Sequence, residues 1–183
     1  MPADSAVTRW LNHRVGPTPE VPAPSRLSGA LIAVVRVGVA LLWIQNVSWK
    51  DPRGFGLLRE FTQDAVEHPV FPPYSWLVEH LVLPNFTFFG WSVLLVESFL
   101  GAFLLIGLAT RFWALVGMAQ TVAIALSVLN APGEWVWSYL LMLLAHVALF
   151  ATAAGRYAGL DALLRPQWTP SSDRMARLLT WAS

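Results

Sequence analysis

The chain contains no cysteine among its 183 residues. It therefore cannot form a disulfide, hold an iron–sulfur cluster through thiolates, attach haem through a Cys-x-x-Cys-His motif or perform thiol chemistry of its own. Charged residues are also scarce, at 13% of the chain against roughly 25% in soluble domains. Any redox role must come from a bound small molecule or from a partner protein.

Apolar residues replace the missing charges and make up 56% of the sequence. The apolar runs lie at 27–47, 86–108, 112–129 and 135–154. A helix needs about 20 apolar residues to cross a hydrocarbon core of about 30 Å. The sequence therefore predicts an all-α integral membrane protein, an antiparallel four-transmembrane-helix bundle over 27–163 with a structured outer loop between helices 1 and 2.

The segments outside the apolar runs predict the topology. Residues 1–26 are rich in proline and lack the apolar core of a secretory signal, so they are expected to form a cytoplasmic arm. Residues 164–183 are predicted to be a cytoplasmic amphipathic tail. Loop 48–85 is expected to contain short helices near 56–67 and 74–82, and its apolar residues either cap the membrane helices or meet a partner.

The basic residues are distributed unequally between the two sides of the membrane. Leaving Arg36 aside, one side holds Arg9, Arg14, Arg26, Arg111, Arg156, Arg165, Arg174 and Arg177, and the other holds Lys50, Arg53 and Arg59. Lysine and arginine concentrate on the cytoplasmic side of membrane proteins. We therefore expect a multi-pass protein of the cell membrane with both termini cytoplasmic and loop 48–85 outside.

Two ionisable residues within the apolar runs require explanation. Glu97 lies near the middle of 86–108, where an unpaired carboxylate costs at least about 2.5 kcal/mol. Arg36 lies in the first run, and it either extends to the near interface or has an internal partner. The second interpretation is favoured by the small residues Gly29, Ala33 and Ala40, which share its helical face.

Depths estimated from the helical rise place Arg36, Glu97, Gln120 and His146 in one layer. We therefore predict that Glu97 pairs with Arg36 or forms a hydrogen bond with His146. The alternative is that the layer only fixes the register of the helices. A single intramembrane histidine cannot provide the bis-histidine ligation of a b-type haem, so no haem is expected. His68 and His80 lack metal-site spacing, and no metal is expected.

Two motifs resemble those of a known family. The run from Glu97 through Gly101 and Gly107 to Arg111 resembles the second-helix signature of DoxX-type membrane proteins, and 155–161 resembles that family's Gly-x-Tyr-x-Leu-Asp ending. Arg36 and Lys50 stand where the family often has basic residues in helix one and at its end. The long outer loop is similar to that of the DoxD form, the small subunit of thiosulfate:quinone oxidoreductase.

This resemblance implies a membrane subunit of a redox complex that receives electrons from a sulfur- or thiol-linked partner and delivers them to quinone. The candidate catalytic residues are Glu97, His146 and Arg36, and the candidate quinone-binding residues are Gln120, Trp43 and Tyr139. The expected partners are the lipid bilayer and other protein subunits, with no nucleic acid. The alternative from another class is a non-catalytic anchor or assembly subunit of a larger membrane complex.

Overall fold

A computed structural model describes residues 25–170 and 173–183 of the chain. Within these ranges the secondary structure is helical, without strands, which confirms the prediction of an all-α protein. The predicted cytoplasmic arm lies outside the described residues except for its last two positions. Its expected structure therefore stays a prediction.

The helices follow the apolar runs of the sequence. In chain order they are α1 (Arg26–Val47), α2 (Gly56–Glu67), α3 (Pro72–Leu77), which continues as a π-helical segment (Val78–Val82), α4 (Phe86–Ile106), α5 (Thr110–Val128), α6 (Val136–Thr152), α7 (Leu160–Trp168) and α8 (Arg174–Ala182). Helices α1, α4 and α5 are long and apolar enough to cross a membrane, and α6 is a shorter apolar helix of 17 residues. These helices fit a multi-pass membrane protein.

A tight turn joins α4 to α5. Gly107 ends α4 with φ of 69°, in the left-handed region that favours glycine. A Cβ atom at this position would also overlap the guanidinium group of Arg36. Ala109 then has φ of 49° immediately before α5 begins. The turn is too short to separate the two helices, so the end of α4 and the start of α5 lie side by side.

Small residues bring the apolar helices into close contact. Helix α1 packs along α4, where a Cβ on Gly101 would lie 2.9 Å from a side-chain atom of Ile44. Helix α5 packs along α6, where a Cβ on Gly117 would overlap the ring of His146. The buried core that results consists of Val39, Ala40, Trp43, Leu100, Leu104, Ala114, Leu149 and Ala154. Trp43 is only 3% exposed, so its ring packs between the helices.

The loop between α1 and α4 covers the ends of the apolar helices. Phe55 is 2% exposed, and its ring lies so close to Gly90 of α4 that a Cβ there would collide with it. The hydroxyl of Tyr74 donates to the carbonyl oxygen of Ala123 on α5 at 3.1 Å. Of the two functions considered for this loop, these contacts favour capping.

We expect Phe55→Ala to lower the free energy of unfolding of the isolated protein by about 3–5 kcal/mol, as truncation of a buried aromatic side chain does. Denaturant unfolding in detergent would measure it. Phe71→Ala is the matched control, because Phe71 is in the same loop but 52% exposed. Equal effects of the two substitutions would show that the loop does not cap the helices.

Candidate functional site

Glu97 is fully enclosed on α4 and accepts hydrogen bonds from three other segments. Its exposed fraction is 1%. The Lys50 Nζ atom lies 2.6 Å from Glu97 Oε2, and the Asn46 Nδ2 atom donates to the same oxygen at 3.2 Å. Gln120 Nε2 donates to Glu97 Oε1 at 3.1 Å. One carboxylate thus joins α4 to α5, to the end of α1 and to Lys50 near the start of the loop.

The predicted partners of Glu97 are wrong, because Lys50 occupies the place expected for Arg36 or His146. Lys50 lies just beyond α1, yet it is only 5% exposed. Its ammonium group also donates to the Asn46 carbonyl oxygen at 2.9 Å and lies 4.2 Å from the centre of the Trp49 ring. Sequence reasoning missed Lys50 because a lysine in a polar loop was expected to face water. The available signal was its position, which matches a basic residue of the family.

The environment of Lys50 alters its acidity. Burial lowers the pKa of the Lys50 ammonium group, and the charge of Glu97 opposes this effect. Lys50 consequently releases its proton more readily than an exposed lysine does. An ammonium group of this kind beside a carboxylate can donate a hydrogen bond and exchange a proton with a bound molecule.

Arg36 lies away from Glu97 and stabilises the far end of α4. It is 1% exposed and has internal partners, as the second interpretation predicts. Its Nη1 atom donates to the carbonyl oxygens of Leu104 at 2.7 Å and Leu105 at 3.0 Å, and its Nη2 atom donates to Ala158 at 3.1 Å. The last carbonyl groups of a helix have no intrahelical donors. Arg36 satisfies them, and this explains why its partner is backbone rather than Glu97.

Asp161 performs the complementary role at the start of α5. Its carboxylate accepts hydrogen bonds from the backbone N–H groups of Ala109 at 2.7 Å and Thr110 at 3.0 Å. Gly155 packs so closely that a Cβ would overlap both Thr110 and Asp161. The motif at 155–161 therefore positions the α4–α5 turn, at the opposite end of the helices from loop 48–85.

His146 is held by two hydrogen bonds that require a single protonation state. Trp43 Nε1 donates to His146 Nε2 at 2.9 Å, so Nε2 carries no proton. His146 Nδ1 lies 2.7 Å from the carbonyl oxygen of Met142 and must therefore donate to it. Both bonds exist only with the neutral Nδ1–H tautomer. His146 positions Trp43, and its two ring nitrogens bond to Trp43 and Met142 rather than to Glu97.

A cavity of about 1030 Å³ lies between these helices and the capping loop. Its lining includes Glu97, His146, Gln120, Trp43 and Tyr139, which are five of the six residues singled out from the sequence; the sixth, Arg36, is not part of the lining. Other polar members are Asn46, Lys50, Thr62, Tyr74, Ser127, Glu134 and Ser138. The remaining walls are mostly aliphatic and aromatic. The cavity is therefore suited to an apolar molecule with a few hydrogen-bonding groups.

The comparison with protein families identifies the chain. Residues 70–181 match the family model described as TQO small subunit DoxD. The chain belongs to the DoxD family. The matched part of this DoxD protein contains Glu97, Gln120 and His146, whereas Lys50 and Asn46 precede it. Neither the curated proteins nor the solved structures that were compared gave a match.

The ion pair generates a prediction about stability. We expect Lys50→Met and Glu97→Gln each to lower the free energy of unfolding by about 3–5 kcal/mol, because each leaves a buried charge without its partner. The double variant should recover most of the loss. Denaturant unfolding of the three variants in detergent measures the coupling.

The matched control is the exposed pair between Arg53 and Asp51, whose side chains are 89% and 50% exposed. Neutralising either of them should leave the unfolding midpoint unchanged, since solvent screens exposed pairs. Additive losses in the Lys50 and Glu97 double variant would contradict the assigned contact.

Proposed function

We propose that this DoxD-family chain is the quinone-interacting membrane subunit of an oxidoreductase complex of the thiosulfate:quinone type. The observation that carries the proposal is the cavity in which a mostly apolar wall surrounds the Lys50–Glu97 pair. The family description supplies the class of complex, as the small subunit of TQO. The chain's own residues supply the features that a quinone site requires.

We further propose that α1, α4, α5 and α6 cross the membrane as an antiparallel bundle. At 1.5 Å per residue, the 17 residues of α6 rise about 26 Å, close to the thickness of the hydrocarbon core. The excess of lysine and arginine at the end of the helices opposite loop 48–85 supports a topology with this loop outside and both termini in the cytoplasm. In this orientation the cavity lies in the outer half of the membrane.

The cavity fits a quinone in size and in chemistry. Binding sites for small molecules are usually about 300–1,000 Å³ and mostly apolar, with few polar groups that fix orientation. A quinone ring has two carbonyl oxygens, each of which accepts hydrogen bonds. The Gln120 amide and the Lys50 ammonium group are the donors proposed to bind them, while Glu97 holds both donors in place. Trp43 and Tyr139 contribute aromatic walls.

Reduction of a quinone to a quinol consumes two electrons and two protons. A chain without cysteine has no thiol to provide the electrons, so we assign them to a partner subunit that oxidises a reduced sulfur compound. The role of this chain is to bind and orient the quinone and to exchange protons through Lys50 and Glu97. His146 acts on the site through Trp43, whose indole it holds.

The hydrogen bonds that Glu97 accepts, and those that Arg36 donates to backbone carbonyl groups, favour a second candidate function, a non-catalytic anchor or assembly subunit. In that case the buried polar groups fix the register of the helices and bind no substrate. Both candidates predict that loss of Glu97 destabilises the protein. Only the first predicts saturable binding of quinone.

Quinone binding can be measured through the tryptophans of the cavity lining, Trp43, Trp49 and Trp135. We expect a short-chain quinone to quench their fluorescence saturably in the detergent-purified protein. Gln120→Leu should raise the dissociation constant about fivefold to tenfold, the value of one hydrogen bond. The control is Gln45→Leu, the same substitution at an exposed position of α1. Quenching that does not saturate, or equal effects of the two variants, would contradict a quinone site here.

A further inference from the structure

Three arginines meet at the end of the helices opposite the cavity. Arg111 lies in the first turn of α5, Arg156 ends the 3₁₀ turn after α6, and Arg165 lies on α7. The Arg111 guanidinium carbon is 4.7 Å from the centre of the Phe150 ring, and its Nε atom donates to the Phe150 carbonyl oxygen at 3.3 Å. All three arginine side chains are half-buried.

The positive charge of this cluster is not balanced by nearby acids. The adjacent carboxylate is Asp161, whose oxygens accept from the backbone at the start of α5. Among the described residues, no arginine of the cluster forms an ion pair with a carboxylate. Burial lowers the pKa of Arg156, and the neighbouring charges of Arg165 and Arg111 lower it further. Arg156 Nη2 also donates to the Ser183 O atom at 2.9 Å. The three arginines still outnumber the adjacent aspartate.

The cluster also has unused hydrogen-bond donors. The Nε atoms of Arg156 and Arg165 are buried and, within the part of the chain that the structure describes, have no partner. A buried N–H group without an acceptor costs free energy that a bound acceptor would restore. Guanidinium groups bind phosphate oxygens with charge-assisted, often bidentate hydrogen bonds. An anion with several acceptor oxygens would satisfy these donors.

Exposed apolar side chains near the cluster indicate that such an anion would be found at a membrane surface. On α8, Met175, Leu178 and Trp181 are 66%, 62% and 48% exposed. Phe112, next to Arg111, is 44% exposed. A short helix with basic and apolar faces lies in the interface between lipid headgroups and acyl chains. The arginine cluster lies at the end of apolar helices α5 and α6, where phosphate groups of a bilayer are found.

We propose that Arg111, Arg156 and Arg165 form a binding site for the phosphate headgroup of an anionic membrane lipid, whose acyl chains lie against α8 and Phe112. The site is independent of the quinone cavity, since it shares no lining residue with it. Its effect is to hold α7 and α8 against the ends of the membrane helices.

Native mass spectrometry of the full chain in detergent tests this site. The protein is titrated with phosphatidylglycerol or with phosphatidylcholine of the same acyl chains. We expect phosphatidylglycerol to bind at least about fivefold more tightly. Arg165→Gln should weaken phosphatidylglycerol binding about fivefold without changing phosphatidylcholine binding, and Arg165→Lys should retain most of the preference. Arg165 is chosen because, among the described residues, its side chain makes no hydrogen bond whose loss would unfold the protein.

Arg59→Gln is the matched control, because Arg59 is an exposed arginine of the capping loop. It should leave the lipid preference unchanged. Equal binding of the two lipids, or equal losses in the Arg165 and Arg59 variants, would overturn the proposal. Displacement of phosphatidylglycerol by millimolar inorganic phosphate would also overturn it, since the site would then be one for free phosphate.

Discussion

The buried ion pair between Lys50 and Glu97 is the interaction on which the site depends. A carboxylate or an ammonium group alone in this environment would be strongly unfavourable. In the ion pair, each charge stabilises the other in place of water. Asn46 and Gln120 satisfy the remaining acceptor capacity of the carboxylate. The same contacts fix the end of α1 and the middle of α5 against α4, and thereby set the width of the cavity. The same four side chains therefore hold the helices together and form part of the polar lining of the cavity.

The buried polar side chains lie at the two ends of the apolar helices and have different roles at each end. At the end away from the loop, Arg36 and Asp161 satisfy backbone groups of the turn between α4 and α5. Those residues belong to the motifs by which the sequence resembles its family, and their role is structural. Glu97 and Lys50 belong to the same resemblance but lie at the cavity. At the loop end, the polar side chains face a cavity and remain available to a ligand. The candidate site at one end of the apolar helices is thus accompanied by structural hydrogen bonds at the other end.

The sequence predicted the apolar helices well because hydrophobic runs of this length have few alternatives in a membrane. It also predicted that Glu97 is buried and lies in a layer with Gln120, since helical rise and small-residue faces determine approximate depth. It failed to identify Lys50, because a lysine in a polar loop was expected to face water, whereas its long side chain reaches the buried carboxylate. It misassigned Arg36 because backbone carbonyls at a helix end, which have no sequence signature, compete with carboxylates as acceptors.

Binding of a quinone beside the Lys50–Glu97 pair can be tested with a quinone that carries a photoreactive group, followed by mass spectrometry of the labelled peptides. We expect labels on residues of the cavity lining near Trp43 and Tyr139, and we expect an excess of unlabelled quinone to prevent them. Labels confined to exposed faces of α1, such as Leu31 and Val34, and unaffected by unlabelled quinone would contradict it.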